Sequence, residues 1–219
     1  MIIFKPHQVF DHIDPYLPEH PIIIEAGAFT GQETVTMATR WPHATIHAFE
    51  PVPELFAQLV ERTKNFPNVH CYNLALSTTN GTATFYIAEK PDKPGRPSQA
   101  GSLQKPKERL KHSPIQFPYT IEVHTITLDS WAQQYNIDHV DMLWLDMQGH
   151  ELPAMQAAPH ILKTVSIIHT EVGFIEAYER QPTYAIVKLW LEQEGFTLIG
   201  KDFIDEHQWF FGNALFVKK

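Results

Sequence analysis

Residues 21–31 read Pro-Ile-Ile-Ile-Glu-Ala-Gly-Ala-Phe-Thr-Gly, and this stretch decides the fold. A short run of β-branched residues closed by an acid and a glycine predicts a buried parallel strand over 21–25 that ends in a tight turn. Residues 30–40 follow with helical composition, and Thr30 is the expected N-cap. The alternation continues along the chain. Strands are predicted over 44–50 and 69–74, with a helix over 53–64 between them. After residue 127 come a helix over 128–135, a strand over 140–146, a helix over 151–158, a strand over 164–171 and a helix over 182–194. Two last strands, 196–201 and 209–217, read as a hairpin. Repeated strand-helix alternation implies an α/β fold with a parallel sheet and right-handed crossovers.

The middle of the chain breaks the pattern. Residues 82–87 and 121–127 read as strands, separated by a long stretch, 88–120, that holds six of the 17 prolines. Its seven cations (Lys90, Lys93, Arg96, Lys105, Lys107, Arg109, Lys111) face three acids, a balance of 7 − 3 = +4 in a chain of net charge −8. An irregular segment of this length is expected to be a lid or a mobile solvated loop. As a lid it would close over an acceptor carrying phosphate or carboxylate, with Ser102 and Lys105 near the substrate.

Bulk properties narrow the classes. At 219 residues and 43% hydrophobic content the chain suits one domain, 1–219, with a substantial core. The negative net charge provides no global field for nucleic acid, so no nucleic-acid partner is expected. A single cysteine, Cys71, cannot form a disulfide within the chain, which fits a reducing compartment, and it reads as a buried small thiol rather than a nucleophile. No apolar run approaches the roughly 20 residues of a bilayer span. A cytoplasmic protein is the expectation.

Four predicted parallel strands end in acids: Glu25, Glu50, Asp146 and Glu171. Ligands of open α/β sheets bind at the carboxyl ends of the strands. The glycines of the first turn, Gly27 and Gly31, permit a close backbone approach to a ligand. A dinucleotide fingerprint needs glycine where Phe29 and Gln32 stand, which counts against an NAD-dependent oxidoreductase. An acid inside the turn repels phosphates and favours the amino and sulfonium cations of S-adenosyl-L-methionine (SAM). Glu50, 19 residues beyond Gly31, can accept from both hydroxyls of a ribose. Asn73 either faces the adenine edge or simply forms a turn.

Six segments in order carry a resemblance: Glu25-Ala-Gly-Ala-Phe-Thr-Gly31, His47-Ala-Phe-Glu-Pro51, Asn73-Leu-Ala-Leu-Ser77, Gly101-Ser-Leu103, Thr127-Leu-Asp129 and Trp144-Leu-Asp-Met-Gln-Gly-His-Glu151. Together they resemble the FkbM family of class I SAM-dependent methyltransferases, from about residue 21 to Glu171. The resemblance implies a Rossmann-like, seven-stranded, mostly parallel sheet with a reversed last strand and helices on both faces. It also implies SAM as methyl donor and a hydroxyl acceptor on a sugar or other small natural product. By position, Glu25, Gly27, Ala28, Thr30 and Gly31 would cradle the methionine, and Glu50 with Pro51 the ribose. Asn73 and Ala75 would lie near the adenine; Asp146 and Gly149 belong to an Asp-x-x-Gly-x-Glu segment beside the transferred methyl. Two positions depart from the family: the first acid is Glu25 rather than Asp, and Trp144 stands where Lys is frequent.

The general base is sought among Asp146, His150 and Glu171, with His169 beside them. Asp146 comes first, with orientation of the cofactor's amino group as its other reading. His150 stands at a helix start, where capping is the alternative. His169 shares a strand face with Glu171 and reads as a satisfied core histidine. Asp146, His150 and Glu171 form a donor set that several divalent ions accept, yet the spacing does not demand one and no metal is assigned. A module that binds the nucleotide without turnover is the non-enzymatic alternative.

Overall fold

The computed structural model describes residues 1–204 and 210–218. In chain order the strands are β1 (Ile2–Ile3), β2 (Ile22–Ala26), β3 (Thr45–Phe49), β4 (Val69–Tyr72), β5 (Ala75–Leu76), β6 (Gly81–Glu89), β7 (Gln116–Ile126), β8 (Met142–Leu145), β9 (Ile167–Gly173), β10 (Phe196–Lys201) and β11 (Phe211–Lys218). The helices are α1 (Val9–Ile13), α2 (Gln32–Arg40), α3 (Pro53–Thr63), α4 (Arg109–His112), α5 (Leu128–Tyr135), α6 (Glu151–Gln156) and α7 (Tyr184–Gln193). The main sheet runs β1-β10-β11-β9-β8-β2-β3-β4, and β11 is antiparallel to both of its neighbours. It therefore has eight strands where seven are expected, because the N-terminal Ile2–Ile3 pairs with β10. The sequence reading placed no element in residues 1–20.

Side-chain alternation gives the sheet two different faces. Ile23, Ile46, Met142, Ile167 and Leu215 pack with Phe10 and Ile13 of α1 and Met37 of α2. Ile24, Leu143, Ile168 and Phe216 pack with Trp131 of α5, Met155 of α6 and Leu191 of α7. Helices thus cover both faces, which is why these strands read as continuous apolar runs rather than as alternating ones.

Two local departures matter for the site. The helix expected from residue 30 begins at Gln32, and its N-cap is Gly31 at φ 80°, not Thr30. A left-handed residue can occupy that corner without a side-chain cap only at small cost when it is glycine. The strand expected over 69–74 ends at Tyr72. The chain then leaves the main sheet at Asn73 and enters a second, three-stranded sheet ordered β5-β7-β6.

The 88–120 stretch is partly regular and partly tied down by backbone hydrogen bonds. Strands β6 and β7 extend into it from both sides, and the chain between them is fastened by backbone hydrogen bonds. Ser98 N–H donates to Ala88 O at 2.7 Å, Tyr86 N–H to Ser102 O at 2.8 Å and Lys107 N–H to Ala177 O at 2.8 Å. The expected final strand from 209 begins at Phe211; residues 205–209, within the predicted connection and strand start, lie outside the described residues. Among the described residues no helix is long and apolar enough to cross a membrane.

Candidate active site

Strand order reverses beside β2: β3 follows on one side and β8 stands on the other. A crevice therefore opens where β2 and β8 end. The turn after β2 fills that gap with three left-handed residues, Gly27 (φ 85°), Phe29 (φ 51°) and Gly31 (φ 80°). A β-carbon on Gly27 would meet the Asp146 carbonyl oxygen at 1.8 Å. Only glycine lets the turn cross over the end of β8. Phe29 takes a conformation unfavourable for a bulky residue. Its ring packs with the cluster of Val52, Leu55, Ala75 and Phe85, and its N–H donates to Glu50 Oε2 at 2.9 Å.

Glu50 is therefore a built feature. Its other oxygen accepts from Val52 N–H at 2.8 Å, so the carboxylate is held from both sides at the end of β3 with lone pairs to spare. Asn73 braces this corner from behind, its amide donating to the carbonyls of Glu50 (2.9 Å) and Pro51 (3.0 Å). The amide nitrogen of Asn73 is thus engaged by the chain's own carbonyls. Glu25, 2% exposed, accepts from the Thr34 hydroxyl at 2.5 Å. Burial pushes Glu25 up to about 8, against the lowering effect of the Thr34 bond, and Glu33, Asp146 and Glu50 add to the rise. Burial likewise pushes Glu50 up to about 8, with its two backbone bonds opposing and Asp146 assisting.

The segment after β8 forms a second rigid loop. Gln148 (φ 53°) and Gly149 (φ 99°) are both left-handed. Gln148 Nε2 donates to Asp146 Oδ1 at 2.7 Å and to Glu171 Oε2 at 2.8 Å, while its Oε1 lies 3.1 Å from the Tyr178 hydroxyl. Glu151 accepts from the N–H groups of Met147 (2.7 Å) and Gly149 (3.0 Å). The Ser102 hydroxyl donates to Gln148 O at 2.9 Å and is 1% exposed. Oxygens of Asp146, Glu151 and Glu171 come within 4.8 Å of one another. Burial raises all three: Asp146 to about 6, Glu151 to about 7 and Glu171 well above its usual range. The donor set weighed from sequence used His150, but that imidazole turns its Nε2 to the Ser77 hydroxyl at 3.1 Å instead. His150 occupies the N-cap position of α6 without making a cap bond.

These elements enclose one cavity of about 950 Å³. Of the residues expected at the site, Glu25, Gly27, Glu50, Pro51, Ala75, Asp146 and His150 line it. Ala28, Thr30 and Gly31 form the turn beneath, and Gly149 belongs to the rigid loop behind Asp146. Glu171 is not among the residues that line the cavity, and its carboxylate is held by Gln148. Lys105 lies outside it as well, ion-paired with Glu179 at 3.3 Å on the surface. Lys107 pairs with Glu176 and Lys111 with Glu108. Arg109 is 7% exposed and stacks over Tyr178 and Phe210 at 5.5 and 5.4 Å. None of the seven cations of 88–120 lines the cavity.

Sequence reasoning missed several participants. Gln148 and Glu151 sit inside a quoted motif yet were not assigned roles. Thr34 could be found as a polar residue on the buried face of α2. Tyr178 and the N-terminal residues Phe4, His7 and Phe10 had no local signal, because long-range packing alone brings them to the site. His169 is a reverse case: it is 5% exposed, lines the cavity and has no partner for its buried Nδ1 among the described residues. It is not a satisfied core histidine.

The fold is shared with solved methyltransferases. An rRNA methylase from Streptococcus thermophilus superposes with a TM-score of 0.55 at 13% identity, over 100% of this chain and 98% of that one. The magnesium protoporphyrin IX methyltransferase of Synechocystis PCC 6803, solved with bound SAM, gives 0.52 at 12% identity, over 96% and 76%. In sequence, the chain is 28% identical over 171 residues to the 2-O-methyltransferase NoeI of Sinorhizobium fredii, covering 77% of this chain and 70% of that protein. The Methyltransferase FkbM domain matches residues 25–198, a span that begins at the first acid of the turn and takes in both rigid loops. The chain belongs to the FkbM methyltransferase family.

Proposed function

We infer that this methyltransferase moves a methyl group from SAM to a hydroxyl oxygen of a saccharide or similar small polyhydroxylated acceptor. The observation that carries the donor is the acid-lined cradle. Glu25, Glu33, Glu50 and Asp146 line the cavity, whereas Arg40, the only Lys or Arg among its described lining residues, is already bound to Asp11 and Asp14. Buried carboxylates raised in pKa mark a place that lacks a positive charge. A sulfonium and an ammonium carried on a ribose-bearing molecule supply it. The cavity's size, about 950 Å³, falls within the range of ligand pockets, ~300–1,000 Å³.

SAM supplies an electrophilic methyl on sulfur, which an acceptor oxygen takes by in-line displacement. The chain's part is to align the partners and exclude water. Glu50 accepts from the ribose hydroxyls; the apolar wall of Val52, Ala75 and Leu76 suits the adenine. Asp146, on the cavity wall, takes the proton that the acceptor hydroxyl loses. Glu171 and Gln148 are positioning residues behind it. The hydroxyl acceptor is supported by the rhizobial relative, a 2-O-methyltransferase.

Residues 1–219 are read as one domain in which 88–120 is a fixed wall. Strands β10-β11-β9-β8-β2-β3-β4 are read as the seven of a class I methyltransferase, with β11 the reversed strand and β1 an addition. The free thiol of Cys71, raised in pKa by partial burial, suits a cytoplasmic protein. Titration calorimetry with SAM, S-adenosylhomocysteine and NADH tests the donor, and transfer of labelled methyl to an acceptor panel tests turnover. Binding of NADH alone would favour an oxidoreductase; binding of SAM without transfer would favour a non-catalytic module.

A further inference from the structure

The cavity does not stop at the cofactor cradle. It continues across the sheet face that α1 and α2 cover, bounded by His7 and Phe10 on one side and by Gln32 and Thr36 on the other. Its floor follows from strand register. Glu25 on β2 aligns with Trp144 on β8, which aligns with His169 on β9. His169 thus sits on the same face as Glu25, two strands away, with one indole between them. The His169 ring stacks on Trp144 at 3.7 Å and 25°, and Phe10 stacks on the same indole at 5.3 Å and 5°. Asp202 and Asn213 close the far end as a fixed pair, Asn213 N–H and Nδ2 donating to the Asp202 carboxylate at 2.6 and 2.8 Å.

Three features of this arm point to one ligand chemistry. A buried imidazole lines it with no described hydrogen-bond partner, and such a group is costly unless something occupies it. Phe4, Phe10 and Trp144 give it aromatic rings, and Gln32, Thr36, Thr39 and Asn213 give it amides and hydroxyls, which suit the C–H faces and hydroxyl groups of a sugar. It presents no unpaired lysine or arginine, since Arg40 is bound to Asp11 and Asp14 and the 88–120 cations lie elsewhere. Glu33 and Asp202 would repel an anion. Its walls at His7, Phe10, Asp202 and Asn213 also fall outside the family match at 25–198, where one chain can differ from its relatives without disturbing the cradle.

We propose that this arm is the acceptor site and that it takes a neutral saccharide, with His169 hydrogen-bonding an acceptor hydroxyl as a specificity-determining residue. The proposal rests on the methyl-transfer reading. It replaces the anionic acceptor expected from the basic 88–120 segment.

The test uses the whole chain saturated with S-adenosylhomocysteine. Methyl glycosides of neutral hexoses and 6-deoxyhexoses are titrated in, with the matching uronates and sugar phosphates in parallel. Calorimetry and tryptophan fluorescence report binding, with Trp144→Phe locating the optical signal. At least one neutral glycoside should saturate, and His169→Gln should weaken it by about tenfold while the S-adenosylhomocysteine Kd stays within about twofold. Thr36→Trp, an exposed substitution on α2, should block the arm with the core untouched and abolish glycoside binding alone. Binding of S-adenosylhomocysteine but of no neutral glycoside overturns the acceptor site and leaves methyl transfer standing. Equal weakening of S-adenosylhomocysteine by either variant overturns it too, by assigning the arm to the donor. Preference for the uronates or phosphates overturns the neutral saccharide. Failure of S-adenosylhomocysteine itself to bind removes the underlying reading and the proposal together.

Discussion

A β-carbon at position 27 would stand 1.8 Å from the carbonyl oxygen of Asp146. Two loops that hold opposite sides of the site are therefore in backbone contact, and neither can move without the other. Gly27→Ala must push β8 away and also adopt φ 85°. Strain of this kind costs about 1–3 kcal/mol before any repacking, and the displaced atom is backbone. The expected result is a clear fall in Tm with SAM affinity reduced more than about tenfold. Wild-type affinity in the variant would show that the turn does not contact the donor.

Glu25 and Glu50 give the ligand-free protein a defined pH response. Each is raised from 4.5 to about 8 in the folded chain, chiefly by burial. Between those values the folded state binds more protons than the unfolded state, so stability falls as pH rises from about 5 to about 8. SAM binding should run the other way, tightening across the same interval and releasing protons as the cation favours the ionised carboxylates. Thermal melts from pH 5 to 9, with and without SAM, check both slopes. Glu50→Gln should flatten the ligand-free slope; an identical slope in that variant would remove Glu50 from the explanation.

Gln148 holds two buried carboxylates, Asp146 and Glu171, with one amide nitrogen. Gln148→Leu leaves both without that donor, at a cost on the order of 3 kcal/mol. Urea denaturation should show the loss. Because the amide hydrogens already stand between the two acids, removal of divalent ions with a chelator should leave methyl transfer unchanged. A chelator-sensitive rate restored by Mg²⁺ would mean that the three carboxylates act as metal ligands.

Arg109 and its neighbours Lys105 and Lys107 separate structural from surface charge. Arg109 is buried over Tyr178 and Phe210 and lowers the pKa of both Asp146 and Glu171. Arg109→Met should destabilise by about 1–2 kcal/mol through lost cation–π contact, and Arg109→Glu should prevent folding by placing a fourth acid near the cluster. Lys105→Glu and Lys107→Glu break only exposed pairs and should leave Tm and acceptor KM essentially unchanged. A raised KM in either lysine variant would return the basic segment to the acceptor site.

Much of the scaffold is legible in the sequence because β2, β3, β8 and β9 are buried on both faces and carry an acid at or near their carboxyl ends. Glu25, Glu50 and Asp146 converge for that reason, and Gly27 marks the crossing. What local reading misjudges is long-range. The proline-rich 88–120 stretch reads as a loose lid, yet its backbone groups find partners at Ala88, Tyr86 and Ala177. Asn73 looks available for a ligand until tertiary structure brings the carbonyls of Glu50 and Pro51 to its amide. His169 reads as core because alternation places it on a buried face; the cavity over that face is bounded by the N-terminal Phe4, His7 and Phe10, which no local signal connects to it.

Asp146 and His150 both line the cavity, and a pH profile distinguishes them as the base that receives the acceptor proton. Burial raises Asp146 to about 6, with the Gln148 bond opposing and Glu33 adding to the rise. Burial alone lowers His150 to about 4. A base works only when deprotonated, so kcat/KM governed by Asp146 rises through pH 6 and levels above 7. The same quantity governed by His150 is already level above about pH 5. Ser77 engages the Nε2 of His150 and the other ring nitrogen is buried, which leaves this imidazole poorly placed to receive a proton. The expected profile is therefore the one with its rise near 6. Asp146→Asn should lower kcat by ~10²–10⁴ and abolish that rise, while His150→Gln should keep the rise and lose less rate. A flat profile from pH 5 to 8 in the wild type, or a greater loss in His150→Gln, would transfer the role to the histidine.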